Sequence, residues 1–270
     1  MKILTRCIKI IGGLVFCSVS LFPIILLFSG SLKPAEDIYD YRIIPQRVTL
    51  SSFVEVINTL DIFRSIFNSF FVAIMVTVLA LLLHSMAGFS FARLQFPFKK
   101  GLFLWVLSTM MVPFSVIMIP LFFIIKQMGL VDSLWGIILP MVPHAYGVFL
   151  FRQNFRGIPQ SLFEAARIDG CSIFRIFYNV FLPLSVPIFI TLGVSFFVTN
   201  WNNYLWPTIV TQTSEKYVVQ ITIATLNGAL RTPWNLILAA SVIAVIPTMI
   251  LFIFLQRYYL QGIKMAGIKS

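Results

Sequence analysis

The chain has 270 residues, of which 59% are apolar, 15% aromatic and only 11% charged. Because soluble domains carry about 25% charged residues, this composition excludes an ordinary soluble enzyme, a disordered chain and a disulfide scaffold. Twenty Lys and Arg against nine Asp and Glu give a net charge of +11. In a membrane protein such an excess belongs to cytoplasmic loops, so no nucleic-acid partner is expected. The three cysteines have no ligand-like spacing, and neither a metal site nor a cofactor is expected.

Six long stretches without charged residues predict six membrane-spanning helices, because a span needs about 20 largely apolar residues. The stretches are residues 10–32, 65–92, 101–125, 133–151, 176–214 and 232–256. The first follows a basic start but is too long for the apolar region of a signal peptide, so we expect a retained anchor. The fifth is expected to hold one span. Prolines inside the stretches are expected to be tolerated, since neighbouring helices satisfy the freed backbone groups.

The distribution of charge predicts the orientation and argues against an independent transporter. Lys and Arg concentrate in the loops on the side of the N-terminus, so both termini are expected in the cytoplasm. All nine acids lie outside the predicted spans, whereas ion-coupled transporters usually need buried carboxylates. His84 and His144 are expected to make hydrogen-bonded packing contacts. No phosphate-binding loop GxxxxGK[ST] and no catalytic motif occurs, so the chain is not expected to be an enzyme itself.

The segment between the fourth and fifth spans is too long for a simple connection and has the pattern of ordered structure. Ser161 and Glu164 have the spacing of a capping box at the start of a short helix. Gly170 is predicted to end that helix. Ser172 is predicted to cap a second helix with aromatic residues at helical spacing. Two roles remain open for Glu164, a helix cap or a contact with a partner.

Residues 164–170 have the pattern Glu-Ala-Ala-x-x-Asp-Gly, followed by Leu-Pro-Leu at 182–184 and by Pro187. This pattern resembles the EAA motif of permease subunits of ATP-binding-cassette (ABC) importers. Further stretches are similar to the second permease of the maltose and glycerol-phosphate branch: residues 87–100, 111–122, 129–132, 149–153, 201–207 and 266–270. Cys171 stands where that pattern usually has Ala.

The resemblance implies an all-α membrane protein with the type I ABC importer permease fold and six transmembrane helices. Both termini would be cytoplasmic, and a cytoplasmic coupling helix would lie at 161–170. Residues 1–64 would form the first transmembrane helix and an external loop, residues 65–257 the transmembrane core, and residues 258–270 a cytoplasmic tail. The implied location is the cell inner (plasma) membrane.

The resemblance also implies the partners and the sites. The partners would be a homologous second permease in a heterodimer, a dimer of ABC ATPase subunits, an extracytoplasmic solute-binding protein and the lipid bilayer. ATPase closure would move the helices as rigid bodies. Contact with the ATPase is expected from Glu164, Ala165, Ala166, Asp169 and Gly170. Secondary contacts are expected near the C-terminus, at Lys264, Gly267 and Lys269.

A polar and aromatic cluster at the end of the fifth span is a candidate for the substrate pathway. It consists of Asn200, Trp201, Asn202, Asn203 and Tyr204. Amides bind hydroxyl groups and aromatic rings stack on sugars, but Trp and Tyr also concentrate at membrane interfaces. Asn68 in the second span is a further candidate, with hydrogen bonding between helices as its alternative role.

The function predicted from the sequence is that of a permease subunit of an ATP-driven importer. Its solute would be a sugar, an oligosaccharide or glycerol 3-phosphate. Two alternatives stay open: an ion-coupled secondary transporter that works alone, and a membrane scaffold or assembly protein.

Overall fold

The computed structural model describes the backbone of residues 2–228 and 232–267 and the side chains of residues 9–228 and 232–254. Within these ranges the regular structure is helical and contains no strand. The α-helices in chain order are α1 (Lys2–Ser31), α2 (Ser51–Thr59), α3 (Ile62–Arg93), α4 (Lys99–Ser108), α5 (Phe114–Gln127), α6 (Leu134–Met141), α7 (Ala145–Gly157), α8 (Gln160–Ile168), α9 (Ile173–Ile176), α10 (Leu182–Leu184), α11 (Val186–Trp201), α12 (Leu205–Val210), α13 (Val219–Ala224) and α14 (Trp234–Gly267). A π-helical segment, Phe177–Phe181, joins α9 to α10.

Three helices are long and apolar enough to cross a membrane by themselves: α1 from Lys9, α3, and α14 as far as Phe254. Three further candidates are bent pairs of helices. The pair α4 and α5 bends by 103°, α6 and α7 by 45°, and the α9–α10 segment bends by 79° against α11. The prediction of an all-helical chain with several membrane-spanning segments is therefore confirmed.

Four prolines of the predicted spans lie inside helices, and two lie at the breaks of bent pairs. Prolines lie inside the helices at Pro23, Pro120, Pro140 and Pro247. Pro113 instead precedes α5 with extended backbone (φ −61°, ψ 138°), and Pro143 lies in the break between α6 and α7. A proline donates no backbone hydrogen bond and its ring crowds the preceding turn, so two of the breaks occur where proline interrupts the helix.

The chain packs as two units, which are residues 1–66 with 219–249 and residues 67–218 with 250–270. In the first unit α1 leaves most of its apolar side chains exposed, as a helix surrounded by hydrocarbon does.

Inside the first unit, buried polar side chains connect helices that are distant in sequence. The Asn235 amide donates to the hydroxyl oxygen of Ser52 at 3.1 Å, which links α14 to α2. The hydroxyls of Ser65 and Thr222 lie 2.6 Å apart and link α3 to α13. Such interhelical bonds give the first unit its order, since every buried polar group needs a partner in an apolar environment.

The second unit contains α4–α12, and α3 passes along its core. Gly88 of α3 lies against α7, where a Cβ atom at position 88 would come within 2.6 Å of the Phe151 Cβ. Nearer the start of α3, the Phe70 ring contacts Phe197 and Trp201 of α11 edge-on, with ring centroids 5.7 and 6.5 Å apart. A small residue at one contact and aromatic rings at the other thus fix α3 between α7 and α11.

Candidate functional site

The short helix α8, Gln160–Ile168, carries most of the motif identified in the sequence. One side chain of this helix, Phe163, is only 9% exposed, and Ala166 is half-buried against the same core. Glu164 and Ala165 are exposed, and Ile168 is 86% exposed. A nine-residue helix with a single buried anchor presents apolar side chains, one carboxylate and the Arg167 guanidinium outward, which is unusual for a connection between two spans.

Phe163 is held by a cluster of phenylalanines, defined here as the Phe cluster. Its members are Phe89, Phe155, Phe163, Phe177 and Phe181. The Phe89 ring lies at the centre, with centroids of the other four rings 5.0 to 6.4 Å away. Most of these contacts are edge-to-face or tilted, the arrangements that aromatic quadrupoles favour. The Phe cluster therefore fixes α8 to α3, α7 and the π-helical segment at once.

The predicted capping box is wrong. The helix begins at Gln160 rather than after Ser161, and Pro159 occupies the N-cap position without a side-chain hydrogen bond. Pro159 has φ −54° and ψ 136°, a conformation that its ring favours and that leads directly into a helix. Ser161 falls in the first turn, where its hydroxyl is not placed to cap. Glu164 therefore has no capping role, and its exposed carboxylate borders a cleft of about 750 Å³ beside α8.

The predicted helix end at Gly170 is confirmed. Gly170 has φ +76°, its N–H donates to the Arg167 carbonyl at 3.1 Å, and the Cys171 N–H donates to the Ala166 carbonyl at 3.0 Å. This pair of bonds is the Schellman motif, which requires a left-handed residue. The predicted cap of the next helix is also confirmed, because the Ser172 hydroxyl accepts a hydrogen bond from the Arg175 N–H at 3.3 Å.

The five residues expected to touch the ATPase share one end of the second unit but differ in exposure. Glu164, Ala165, Asp169 and Gly170 are exposed, whereas Ala166 is turned partly toward the Phe cluster. Of the C-terminal candidates, the side chains of Lys264 and Gly267 and the whole of Lys269 lie outside the described residues.

Arg93, the last residue of α3, contacts the base of α8, and sequence reasoning missed this role. One terminal nitrogen donates to the Gln160 side-chain oxygen, and the other donates to the carbonyls of Phe155, at 2.6 Å, and Ile158. The guanidinium carbon lies 5.0 Å from the centre of the Phe181 ring. In the sequence Arg93 looked like one more cytoplasmic charge. No local sequence pattern links Arg93 to these partners, because they lie 62 to 67 positions later in the chain.

The pathway candidates at the end of α11 are divided between the protein interior and the surface. Trp201 is only 2% exposed and stacks on Phe197 with centroids 5.8 Å apart. Asn202 and Tyr204 are exposed, and Asn203 is half-buried with its amide 3.3 Å from the Met141 sulfur. The Asn200 amide donates to the Phe196 carbonyl of its own helix at 2.8 Å.

Asn68 and the two histidines make hydrogen bonds that hold elements together. The buried Asn68 amide donates to the carbonyls of Glu215 and Tyr217, both at 2.9 Å. The backbone N–H of His144 donates to the His84 Nε2 at 3.0 Å, which joins α3 to the start of α7. These contacts agree with the hydrogen-bonding roles considered for Asn68 and His84, whereas the His144 ring packs against Phe196 with centroids 6.3 Å apart. No group of His, Cys, Asp or Glu that could hold a metal ion occurs within the described ranges.

Residues 84–265 match the family described as "Binding-protein-dependent transport system inner membrane component". The chain belongs to this family. The permease is 34% identical over 265 residues to the arabinooligosaccharides transport system permease protein AraQ of Halalkalibacterium halodurans, which covers 96% of this chain and 95% of AraQ. It is 33% identical over 212 residues to the sn-glycerol-3-phosphate transport system permease protein UgpE of Agrobacterium fabrum, with 78% and 75% covered.

The fold of the permease is also similar to that of a solved structure. A chain of a bacterial ABC transporter involved in the import of the acidic polysaccharide alginate superposes with a TM-score of 0.85, covering 96% of this chain and 97% of that one at 23% identity. At this identity the likeness shows the fold alone. The family and the relatives confirm a multi-pass inner-membrane permease subunit of an ABC transporter.

Proposed function

We propose that this permease is one half of a heterodimeric channel for a carbohydrate, driven by a pair of ATPase subunits that bind at α8. It would receive its solute from an extracytoplasmic binding protein. The single observation that carries this proposal is the form of α8: a short helix with one buried anchor and an exposed surface that includes Leu162, Glu164, Ala165, Arg167 and Ile168. A surface of this kind, beside a cleft, fits a protein partner better than water.

The coupling role of α8 rests on how it is anchored. Phe163 enters the Phe cluster, and the Schellman turn at Gly170 reverses the chain immediately after the helix. Force applied to the exposed surface would therefore reach α3, α7 and the segment leading into α11 through packed aromatic rings rather than through a flexible loop. Packed interfaces transmit displacement because they do not deform continuously.

The proposed topology places both termini and α8 in the cytoplasm. Three single helices and three bent pairs together make six spans, and an even number returns the chain to the side on which it began. The excess of Lys and Arg on that side supports the orientation. Residues 1–64 would form the first span and an external loop, residues 65–257 the core, and residues 258–270 a tail that adds ATPase contacts through Lys264, Gly267 and Lys269.

A carbohydrate is the proposed solute, on two grounds. AraQ is named for arabinooligosaccharides and the solved structure for alginate, so polyhydroxylated solutes recur among proteins similar to this chain. The exposed Asn202 and Tyr204, with the half-buried Asn203, offer amide and hydroxyl groups at the end of α11. Such groups suit the hydroxyls of a sugar. UgpE is named for glycerol 3-phosphate, so a phosphorylated solute is the competing outcome of an uptake experiment.

Cross-linking tests the ATPase contact directly. In a complex whose permease lacks native cysteines, Ala165→Cys should cross-link to a cysteine in the ATPase subunit, and ATP should change the yield. Phe98→Cys is the matched control, because Phe98 is 85% exposed and lies outside α8. Equal yields at positions 98 and 165, or none at 165 in a complex that transports, would contradict the proposal.

Uptake into vesicles separates the alternatives. The complex should transport only with ATP and the binding protein, and a labelled oligosaccharide should be competed by unlabelled oligosaccharide. Uptake by this chain alone under an ion gradient would indicate a secondary transporter. A complex in which the binding protein never stimulates ATP hydrolysis would indicate a scaffold.

A further inference from the structure

Arg93 connects three helical elements through one side chain. Its guanidinium donates to the carbonyls of Phe155 and Ile158 at the end of α7 and to the side chain of Gln160 at the start of α8. It also lies over the Phe181 ring in the π-helical segment. Arg93 itself ends α3, a helix of 32 residues that continues through the predicted second span. The ends of α3 and α7, the start of α8 and the π-helical segment thus meet at this guanidinium.

The connection between α7 and α8 is short, and Arg93 adds a polar contact there to the packing of the Phe cluster. The connection consists of Ile158 and Pro159, and Pro159 has no N–H with which to bond the preceding turn. The last carbonyls of a helix have no partner within the helix and must find one elsewhere. Arg93 donates to the Phe155 carbonyl, which also accepts from the Ile158 N–H at 3.3 Å, and to the Ile158 carbonyl. It holds the first residue of α8 at the same time.

The chemistry of the contact requires arginine in particular. Two terminal nitrogens of one planar group bond in three directions, which a lysine ammonium on a flexible stem does not reproduce. No carboxylate forms an ion pair with Arg93 in the part of the chain that the structure describes. A charge present only to orient the protein would remain in water, whereas this one donates at 2.6 Å to a carbonyl and lies 5.0 Å from an aromatic ring.

We infer that Arg93 is the positioning residue that passes the movement of α8 to α3, and so makes solute translocation depend on ATP hydrolysis. This inference rests on the proposed contact between α8 and the ATPase. When the ATPase displaces α8, Gln160 and the end of α7 move with the guanidinium, and α3 moves because Arg93 is its last residue. Without the planar fork, the Phe cluster alone links α8 to α3, so only part of the movement of α8 reaches α3. More ATP is then hydrolysed for each solute molecule transported.

The experiment measures solute transported per ATP hydrolysed in the reconstituted complex. Arg93→Lys keeps the charge and should lower this ratio on the order of tenfold, the scale of common coupling energies between sites, while basal ATP hydrolysis persists. Gln160→Ala should lower the ratio in the same direction. The double variant should lose no more than Arg93→Lys alone, because both residues act through one contact. Arg156→Lys is the matched control, an exposed arginine near the end of α7, and should couple normally.

Three outcomes would overturn the inference: normal coupling in Arg93→Lys, equal losses in the Arg93 and Arg156 variants, or losses that add in the double variant. If Arg93→Lys fails to accumulate in the membrane, the inference is tested with Gln160→Ala instead. Normal coupling in Gln160→Ala would contradict the inference. The cross-link from Ala165→Cys is measured in the same complexes. If the variants couple normally and the cross-link is still formed, the role inferred for Arg93 is wrong but the ATPase contact stands. If no cross-link forms in any complex, the proposed ATPase contact is wrong as well.

Discussion

Asp132 binds Thr213 through both of its carboxylate oxygens, which accept from the Thr213 N–H at 3.0 Å and from its hydroxyl at 2.8 Å. The Gln212 N–H adds a third bond at 2.9 Å. The turn after α5 is thereby tied to the loop after α12. Partial burial acts to raise the pKa of Asp132, but these hydrogen bonds and nearby Lys216 outweigh it and hold the pKa below its ordinary value.

Asp132→Asn should therefore weaken the link between the turn after α5 and the loop after α12. The free energy of unfolding should fall by no more than about 1 kcal/mol, because the carboxylate is largely exposed. Asn tolerates the left-handed backbone of this residue (φ +57°), so the change removes the charge and leaves the turn. A group whose folded pKa is depressed stabilises above its unfolded pKa, and the effect is lost as the pH falls through the folded value. Thermal unfolding in detergent should show a deficit at pH 7 that shrinks below about pH 4. Glu55→Gln, an exposed acid in α2, should show no such deficit.

Gly88→Ala should destabilise the protein by about 1–3 kcal/mol, the cost of overpacking a close contact. A new Cβ would meet the Phe151 Cβ at 2.6 Å and the Arg152 backbone nitrogen at 2.9 Å, and a backbone atom cannot move aside cheaply. Gly101→Ala is the matched control, since nothing lies within 4 Å of a Cβ there. Thermal stability in detergent, followed by fluorescence-detected gel filtration, checks both. Equal midpoints for the two variants would contradict the close packing of α3 on α7.

Gly170→Leu should leave the protein inserted but uncouple transport from ATP hydrolysis. A leucine in the left-handed conformation costs about 1–2 kcal/mol, so the Schellman turn opens and α8 loses its orientation. Gly170→Asn should retain most of the transport, because Asn adopts this conformation more readily. Uptake and ATPase rates are measured in the same vesicles, with Gly157→Ala as a control in open space. Normal uptake by the leucine variant would refute the expected role of this turn.

Cys171 should react with a membrane-impermeant maleimide in inside-out vesicles and not in intact cells. It is partly exposed beside α8, on the side proposed to be cytoplasmic. The experiment uses a variant in which Cys7 and Cys17 are replaced. Gln212→Cys, exposed in the loop after α12, should show the opposite labelling. Labelling of Cys171 from outside would reverse the proposed topology.

Sequence patterns predicted the features of this fold that depend on local chemistry. Charge-free stretches located the apolar helices because desolvating a charge is costly at any position in the bilayer. Gly170 and Ser172 were predicted correctly because a left-handed turn and an N-cap need particular residue types. The breaks at Pro113 and Pro143 were not, because a proline can either remain inside a helix or end it, and tertiary packing decides.

The site was predictable only in part, because several of its contacts depend on tertiary packing. The motif located Glu164 and Ala165 on an exposed surface, but the capping box at Ser161 depended on the position of the helix start, which Pro159 moved. The contacts of Arg93 depend on residues 62 to 67 positions later in the chain, and no spacing rule links such distant residues. The contact of Trp201 with Phe70 of α3 likewise joins residues that are distant in sequence.

The π-helical turn at Phe177–Phe181 has a consequence for the length of the chain. A π-helical turn takes in one residue more than an α-helical turn, and within it both Phe177 and Phe181 reach the Phe cluster. Removing a single residue there would rotate everything that follows by about 100°, one residue's share of a helical turn. Phe181 would leave the Arg93 guanidinium, and α11 would present a different side to α3. The number of residues in this segment is therefore as strictly constrained as their chemical nature, and a deletion there should do more damage than most substitutions.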